Sequence, residues 1–204
     1  MRLSEKTIEL TFCHQFGVAL GRDLVWFGLT QRQEAVAGFD ACVRMNGRLL
    51  ILQFKALSKM LVSGRRQFVA PHTQMEALRE RYNGNRSIFY ALPFVGNTSD
   101  VYRDQNILSR TWLLDVADLP DPIPDPVKRD GTPRKSENHY ISAEPGWAVI
   151  HSEPFKVPLL NGKKLAPIAI SEEQEIGVRV NSDNQADLTD LLKHFHRDAF
   201  AIIL

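Results

Sequence analysis

Asp40, Gln53 and Lys55 are the residues whose types and spacing could do chemistry together. A carboxylate, a carboxamide and an ammonium group in one small space can hold a hard divalent cation and set a phosphate ester beside it. The stretch that carries them reads Gly38-Phe39-Asp40-Ala41-Cys42-Val43-Arg44-Met45-Asn46-Gly47-Arg48-Leu49-Leu50-Ile51-Leu52-Gln53-Phe54-Lys55. Asn46-Gly47 is the preferred pair for a two-residue type I′ turn, and apolar, strand-like runs flank it. Such a turn sets Met45 opposite Arg48, and counting outward sets Asp40 opposite Gln53. Opposed residues have Cβ atoms about 5 Å apart. Side chains alternate faces with a period of two, so Lys55 shares the face of Gln53. Three polar groups thus crowd one end of a hairpin otherwise made of Leu, Ile, Val and Phe.

Other elements must position this hairpin. Ser4 reads as an N-cap for a helix to about Leu20, broken by Gly21 and Asp23. Ile8, Phe12, Phe16 and Ala19 fall on one stripe of it, and Glu9 borders that stripe. Leu24 to Phe27 reads as a short buried strand, and Gln31 to Glu34 as a polar connection. Ser58 to Val69 has no clear period and reads as a loop with some strand character. A helix follows from Pro71 to about Tyr82, with Met75, Leu78 and Tyr82 on one face, closed by Asn83-Gly84-Asn85. Ser87 to Leu92 reads as a strand, 99–109 as a helix, and Thr111 to Val116 as a strand. Residues 120–138 hold five prolines and the run Lys128-Arg129-Asp130-Gly131, the pattern of a linker or long loop. Tyr140 to Ile170 looks like short strands. Asp187 to Leu204 reads as an amphipathic helix, with Leu188, Leu191, Leu192 and Phe195 at helical spacing. The organisation expected is a core over 1–118, a proline-rich connection over 119–138, and C-terminal strands plus a helix over 139–204, packed on the core.

An Asp followed thirteen residues later by Gln-x-Lys across a β-turn resembles the PD-(D/E)xK nuclease superfamily, in its variant with Gln in place of the first acidic residue. Residues 3 to about 95 cover the matching part. The implied fold is α/β: a restriction-endonuclease-like core, a mixed sheet flanked by helices, here with a C-terminal β/α extension. The implied activity is metal-dependent hydrolysis of phosphodiester bonds, with DNA as the first expectation, in restriction, repair or defence against mobile DNA. Asp40 and Gln53 would hold Mg²⁺, for which Mn²⁺ can substitute. The resemblance adds the main-chain carbonyl of Phe54 and, from the first helix, Glu9. Lys55 would orient the attacking water and stabilise charge on phosphorus. Lys59, Arg65, Arg66 and Gln74 are the candidate nucleic-acid contacts, with His72 beside Gln74. The sequence departs from the pattern in two ways. Gly38-Phe39 stands where a proline often precedes the Asp, and neutral Gln53 leaves one negative charge fewer, which Glu9 or Glu34 would have to supply. A homodimer or a larger protein complex is compatible with the resemblance. The competing class is a non-cleaving module of the same fold that binds nucleic acid or a protein.

The bulk properties fit either class. The chain has 204 residues, 44% of them hydrophobic, and a formal net charge of +1, so a polyanion site has to be a local patch. Cys13 and Cys42 give no disulfide framework and no zinc spacing, and reduced thiols in the cytoplasm are the expectation. Cys42 shares the face of Asp40 but reads as a small buried hydrophobe. Charges at Arg2, Glu5 and Lys6 stand where a signal peptide would be apolar. No apolar run approaches the ~20 residues of a membrane span. His14 does not share the face of Glu9, and His194 and His196 point to opposite sides of their expected helix, which argues against a zinc pair. Neither GxxxxGK[ST] nor GxGxxG occurs.

Overall fold

The first helix, α1 (Glu5–Leu20), is set by its ends. The Ser4 hydroxyl accepts the N–H of Thr7 at 3.1 Å. Gly21 closes the helix at φ 65°, a left-handed turn that favours glycine, and its N–H reaches back to the carbonyls of Gly17 and Val18. The buried stripe of α1 is Ile8, Glu9, Phe12, Cys13 and Phe16. Glu9 lies inside it rather than at its border, and Ala19 is exposed. The computed structural model describes residues 2–21, 24–29, 39–45, 48–81, 88–104, 106–126, 132, 137–150, 153–165, 178–179 and 200–203.

Three strands follow as an antiparallel meander: β1 (Val25–Gly28), β2 (Ala41–Met45) and β3 (Arg48–Phe54). The hairpin register is the one the sequence predicts, with Met45 opposite Arg48 and Ala41 opposite Leu52. Asn46 and Gly47 themselves lie outside the described residues, as does Glu34. The segment read as a loop with some strand character pairs as an antiparallel hairpin, β4 (Lys59–Met60) with β5 (Arg66–Pro71). Helix α2 (His72–Arg81) leads to β6 (Ile88–Pro93), which is parallel to β3. The helix expected over 99–109 is two, α3 (Thr98–Asp104) and α4 (Ile107–Arg110). The second starts afresh where the Asn106 side chain accepts the N–H of Ser109. Strand β7 (Thr111–Asp115) then runs antiparallel to β6.

The C-terminal third contributes β8 (Asn138–Glu144), β9 (Trp147–Ile150), β10 (Glu153–Pro158), β11 (Leu160–Asn161), β12 (Val178–Arg179) and β13 (Phe200–Ile203). Residues 200–203 are thus a strand paired with β1, not the end of a helix. Residues 187–199, including His194 and His196, lie outside the described residues. Two sheets result. The mixed sheet runs β11-β7-β6-β3-β2-β1, with β13 added beyond β1 and β12 beside the start of β3. The other is antiparallel, β10-β9-β8-β5-β4, so β5 and β8 join the C-terminal strands to the earlier part of the chain.

Period-two alternation divides the core. Ala41, Val43, Leu50, Leu52, Phe54, Phe89 and Ala91 face α1. Cys42, Ile51, Ile88, Tyr90, Leu92 and Leu114 face the second sheet and α2, against Phe68, Ile141, Ala148, Met75 and Leu78. Ring contacts dock α1: Phe12 meets Phe54 edge-on at 5.5 Å, and Phe16 meets Trp26 edge-on at 5.8 Å. Burying such side chains contributes about 1.5–3 kcal/mol each, which fixes the helix over the end of β3. The start of the proline-rich stretch is packed too. Ile123 joins the core under α2, and Asp121 lies 4.0 Å from the Arg79 guanidinium.

Candidate functional site

The site lies where β3 ends. Asp40 continues the ladder just before β2: its N–H donates to the Leu52 carbonyl and its own carbonyl accepts from the Leu29 N–H, both at 3.2 Å. That backbone placement aims the carboxylate at the last residues of β3. Asp40 Oδ2 accepts the Phe54 N–H at 2.6 Å and the Gln53 carboxamide at 2.8 Å. Gln53 Nε2 also donates to the Phe54 carbonyl at 3.1 Å. Asp40, Gln53 and the main chain of Phe54 therefore form one hydrogen-bonded knot, with Asp40 7% and Gln53 2% exposed.

Lys55 carries the pattern on. Its N–H donates to the Ala91 carbonyl at 3.0 Å, keeping the chain in line with β6. Its Nζ lies 6.0 Å from the ring centre of Tyr90, and the residue is only 7% exposed. Tyr90 is the register partner of Gln53 across the parallel β3–β6 ladder, so it shares that face. Burial first, and the Asp40 carboxylate second, hold the Tyr90 phenol far above its ordinary ionisation range.

Glu9 sits in the α1 layer, on the Phe54 side of the sheet, with its carboxylate 2.7 Å from Lys6 Nζ. One turn earlier, Glu5 accepts the N–H of Ala56 at 2.8 Å, and Arg2 donates to the Leu57 carbonyl at 2.6 Å. The exit of β3 is thus tied to the start of α1, with Glu9 on the stripe between these ties and Phe12. Burial first, then the charge of Glu9, raises the Cys13 thiol well above its ordinary range.

The candidate nucleic-acid contacts separate. Lys59 is exposed on β4. Arg65 leaves that hairpin with its guanidinium carbon 5.3 Å from the Trp147 ring centre. Arg66 turns to the other face and lies over the Phe94 ring at 4.5 Å. Burial and the neighbouring Arg110 lower its pKa. Gln74 is in the first turn of α2, half-buried. His72, which opens α2, bonds ring to ring with buried His139 at 2.9 Å and approaches Glu76 at 3.2 Å. Sequence reasoning missed His139 and Tyr90. Tyr90 stands in the apolar run of β6, and nothing local says that β6 pairs with β3.

The donor set at the end of β3 is one carboxylate, one carboxamide and one main-chain carbonyl. Oxygen ligands of this kind suit Mg²⁺ or Mn²⁺ rather than zinc. Among the described residues no three His, Cys, Asp or Glu side chains are grouped to hold a metal. Gln53 Oε1 is buried and has no hydrogen-bond partner, and it is the amide nitrogen of that carboxamide that faces Asp40 and the Phe54 carbonyl. No helix among the described residues is long and apolar enough to cross a membrane. No protein-family model, no curated protein and no solved structure matches this chain.

Proposed function

We propose that the chain is a cation-dependent phosphodiester hydrolase of the PD-(D/E)xK kind, acting on nucleic acid and on DNA in the first instance. The observation that carries this reading is the knot of Asp40, Gln53 and Phe54 with Lys55 buried beside it. It is supported by the order of elements: helix, three-stranded meander, the inserted β4–β5 hairpin, helix, then a strand parallel to the third. Apart from that hairpin, the order is the one a restriction-endonuclease-like core would have.

Asp40, Gln53 and the Phe54 carbonyl would hold Mg²⁺ or Mn²⁺. The cation would neutralise phosphate charge and make water a better nucleophile. The protein groups do the rest. Lys55 places a positive charge where the scissile phosphate would lie, orients the attacking water, and offsets the negative charge that grows on the phosphoryl oxygens. Its near-complete burial keeps that charge unscreened by bulk solvent. Asp40 is fixed by two donors to one oxygen, so it reaches the site without reorganisation. Lys59, on β4, and Arg65, in the connection between β4 and β5, would offer sequence-blind contacts to the nucleic-acid backbone.

The test is incubation of plasmid and short oligonucleotides with wild type, Lys55→Ala and Asp40→Asn, with Mg²⁺, Mn²⁺ or EDTA. Cation-dependent cleavage is expected from wild type, reduced about 100-fold or more in both variants while their melting curves stay cooperative. Cleavage that survives EDTA, or that Lys55→Ala leaves intact, would overturn the reading.

One observation favours a second reading. Gln53 Nε2 already donates to Asp40 Oδ2 and to the Phe54 carbonyl, the same oxygens a cation would take. A neutral amide can thereby stand in for the ion in a domain that binds without cutting. Nucleic-acid binding indifferent to EDTA and to Lys55→Ala, with no cleavage, is its expected result.

A further inference from the structure

The strand register assigns each residue of the second sheet to one of its two faces. Phe68, Ile141, Ala143, Ala148, Ile150 and Val157 turn inward to the core. The outer face carries the row Lys59, Gln67, Ser142, Val149 and Lys156, one residue from each strand. Beside that row lies the pair Glu144 and Trp147. The guanidinium of Arg65, just before β5, reaches the Trp147 ring centre at 5.3 Å, and Lys156 Nζ stands 4.3 Å from the same ring centre. Trp147 is half-buried, whereas Lys59 and Lys156 are exposed.

Three cations therefore share a face with one half-exposed indole. Glu144 is the one carboxylate among the described strand residues of that face. In a chain of net charge +1 this is the local positive patch that a polyanion needs. Among the described residues, none of Lys59, Arg65 and Lys156 forms a salt bridge. Arg65 and Lys156 rest on the indole instead, a contact worth about 0.5–1 kcal/mol at an exposed site, so a phosphate can draw them off at little cost. The ring face they leave is open to a base, which is how proteins hold single strands without reading sequence. A duplex hides its base faces and offers this surface phosphates alone. An acidic peptide would meet the cations but has no flat ring in every repeat to lay on the indole. Lys59 follows Lys55 by four residues, at most about 14 Å of chain, so the edge of this face adjoins the end of β3.

We propose that the outer face of the second sheet is a platform for single-stranded nucleic acid, with one base stacked on Trp147 and the backbone phosphates held by Lys59, Arg65 and Lys156. The inference rests on the nucleic-acid reading above and adds the strandedness of the ligand and a residue, Trp147, outside the D…QxK pattern. It requires neither a cation nor cleavage.

The test is fluorescence anisotropy on the full chain in EDTA, with labelled oligothymidylate, oligouridylate and a DNA duplex of equal length, for wild type, Trp147→Ala, Trp147→Phe and Lys156→Ala. Wild type is expected to bind one or both single strands more tightly than the duplex, and the two single strands distinguish DNA from RNA. Trp147→Ala should weaken single-strand binding about 10-fold or more, the scale of one stacked base, and Trp147→Phe should keep most of the affinity. Single strands should quench indole emission in wild type, and less so in Trp147→Phe. Lys156→Ala, a change at an exposed position, should lower the slope of log K against log salt by about 0.7, one phosphate contact. Failure of wild type to bind single strands, tighter binding of duplex, or wild-type affinity and salt slope in Lys156→Ala would each overturn the platform. So would wild-type affinity in a cooperatively melting Trp147→Ala. Cation-dependent cleavage without the platform would overturn this inference alone, and platform binding without cleavage would overturn the hydrolase reading alone.

Discussion

At the scale of single residues, Gln53 is the pivot. In a D…ExK arrangement this position would carry a second carboxylate about 3 Å from the first. Here an amide donates to Asp40 Oδ2 and costs no charge repulsion. Gln53→Glu reverses this balance. Two buried carboxylates facing each other cannot both ionise without a cation between them, so one pKa rises in the folded state. A raised carboxyl pKa stabilises the fold at low pH and is lost as pH climbs through it. Relative to wild type, Gln53→Glu should therefore melt lower at pH 8 than at pH 5, by about 1–3 kcal/mol in stability. Added Mn²⁺ should restore the loss at pH 8. Differential scanning fluorimetry across pH, with and without the ion, checks it. No recovery on adding Mn²⁺ would count against a cation at this position. The pairing of Asp40 with Gln53 was legible from Asn46-Gly47 and the count of residues on each side. The orphaned Oε1 was not, because a carboxamide's orientation depends on which acceptors its neighbours leave open.

At the scale of elements, the site depends on α1 staying seated over the end of β3. Gly162 is part of that seat. A Cβ there would stand 2.5 Å from the Leu108 carbonyl oxygen and 3.1 Å from the Phe12 ring. The first contact is with backbone of α4, which cannot turn aside as a side chain can. Gly162→Ala should therefore destabilise by about 1–3 kcal/mol, read from a shifted urea midpoint. A wild-type midpoint would show that α4 and the 160–162 segment are not packed this closely. Helix α1 was readable because both ends carry local signals, Ser4 and Gly21. The β4–β5 hairpin was not, since Lys59-Met60 is a strand only by virtue of its neighbour. The end of the chain went the other way. The helical spacing of Leu188, Leu191, Leu192 and Phe195 was extended too far, into Phe200–Ile203, where Ile202 and Ile203 suit a strand and β1 offers an open edge.

At the scale of the whole molecule, the mixed sheet is sandwiched between α1 with α4 on one side and α2 with the second sheet on the other. Both layers are dry enough to hold thiols and a phenol in their neutral forms. Burial pushes the Cys42 thiol from 9.0 up to about 12, and Cys13 and Tyr90 are displaced in the same direction. Between pH 9 and about 12 the unfolded chain has lost protons the folded chain keeps, so stability should fall through that window. Melting temperature against pH should slope downward there, less steeply in Cys42→Ala; equal slopes would mean Cys42 is not sealed from solvent. The sequence by itself determined the hairpin register, the local ends of α1 and the spacing of Asp40, Gln53 and Lys55, because turn chemistry, capping and side-chain alternation act over a few residues. Only the tertiary structure decided that β6 runs beside β3 and brings in Tyr90, that Arg66 turns onto Phe94, and that residues 138–158 complete a sheet begun by β4 and β5. Those outcomes depend on which distant strands share an edge, and the free energy of that choice is spread over both layers of the core.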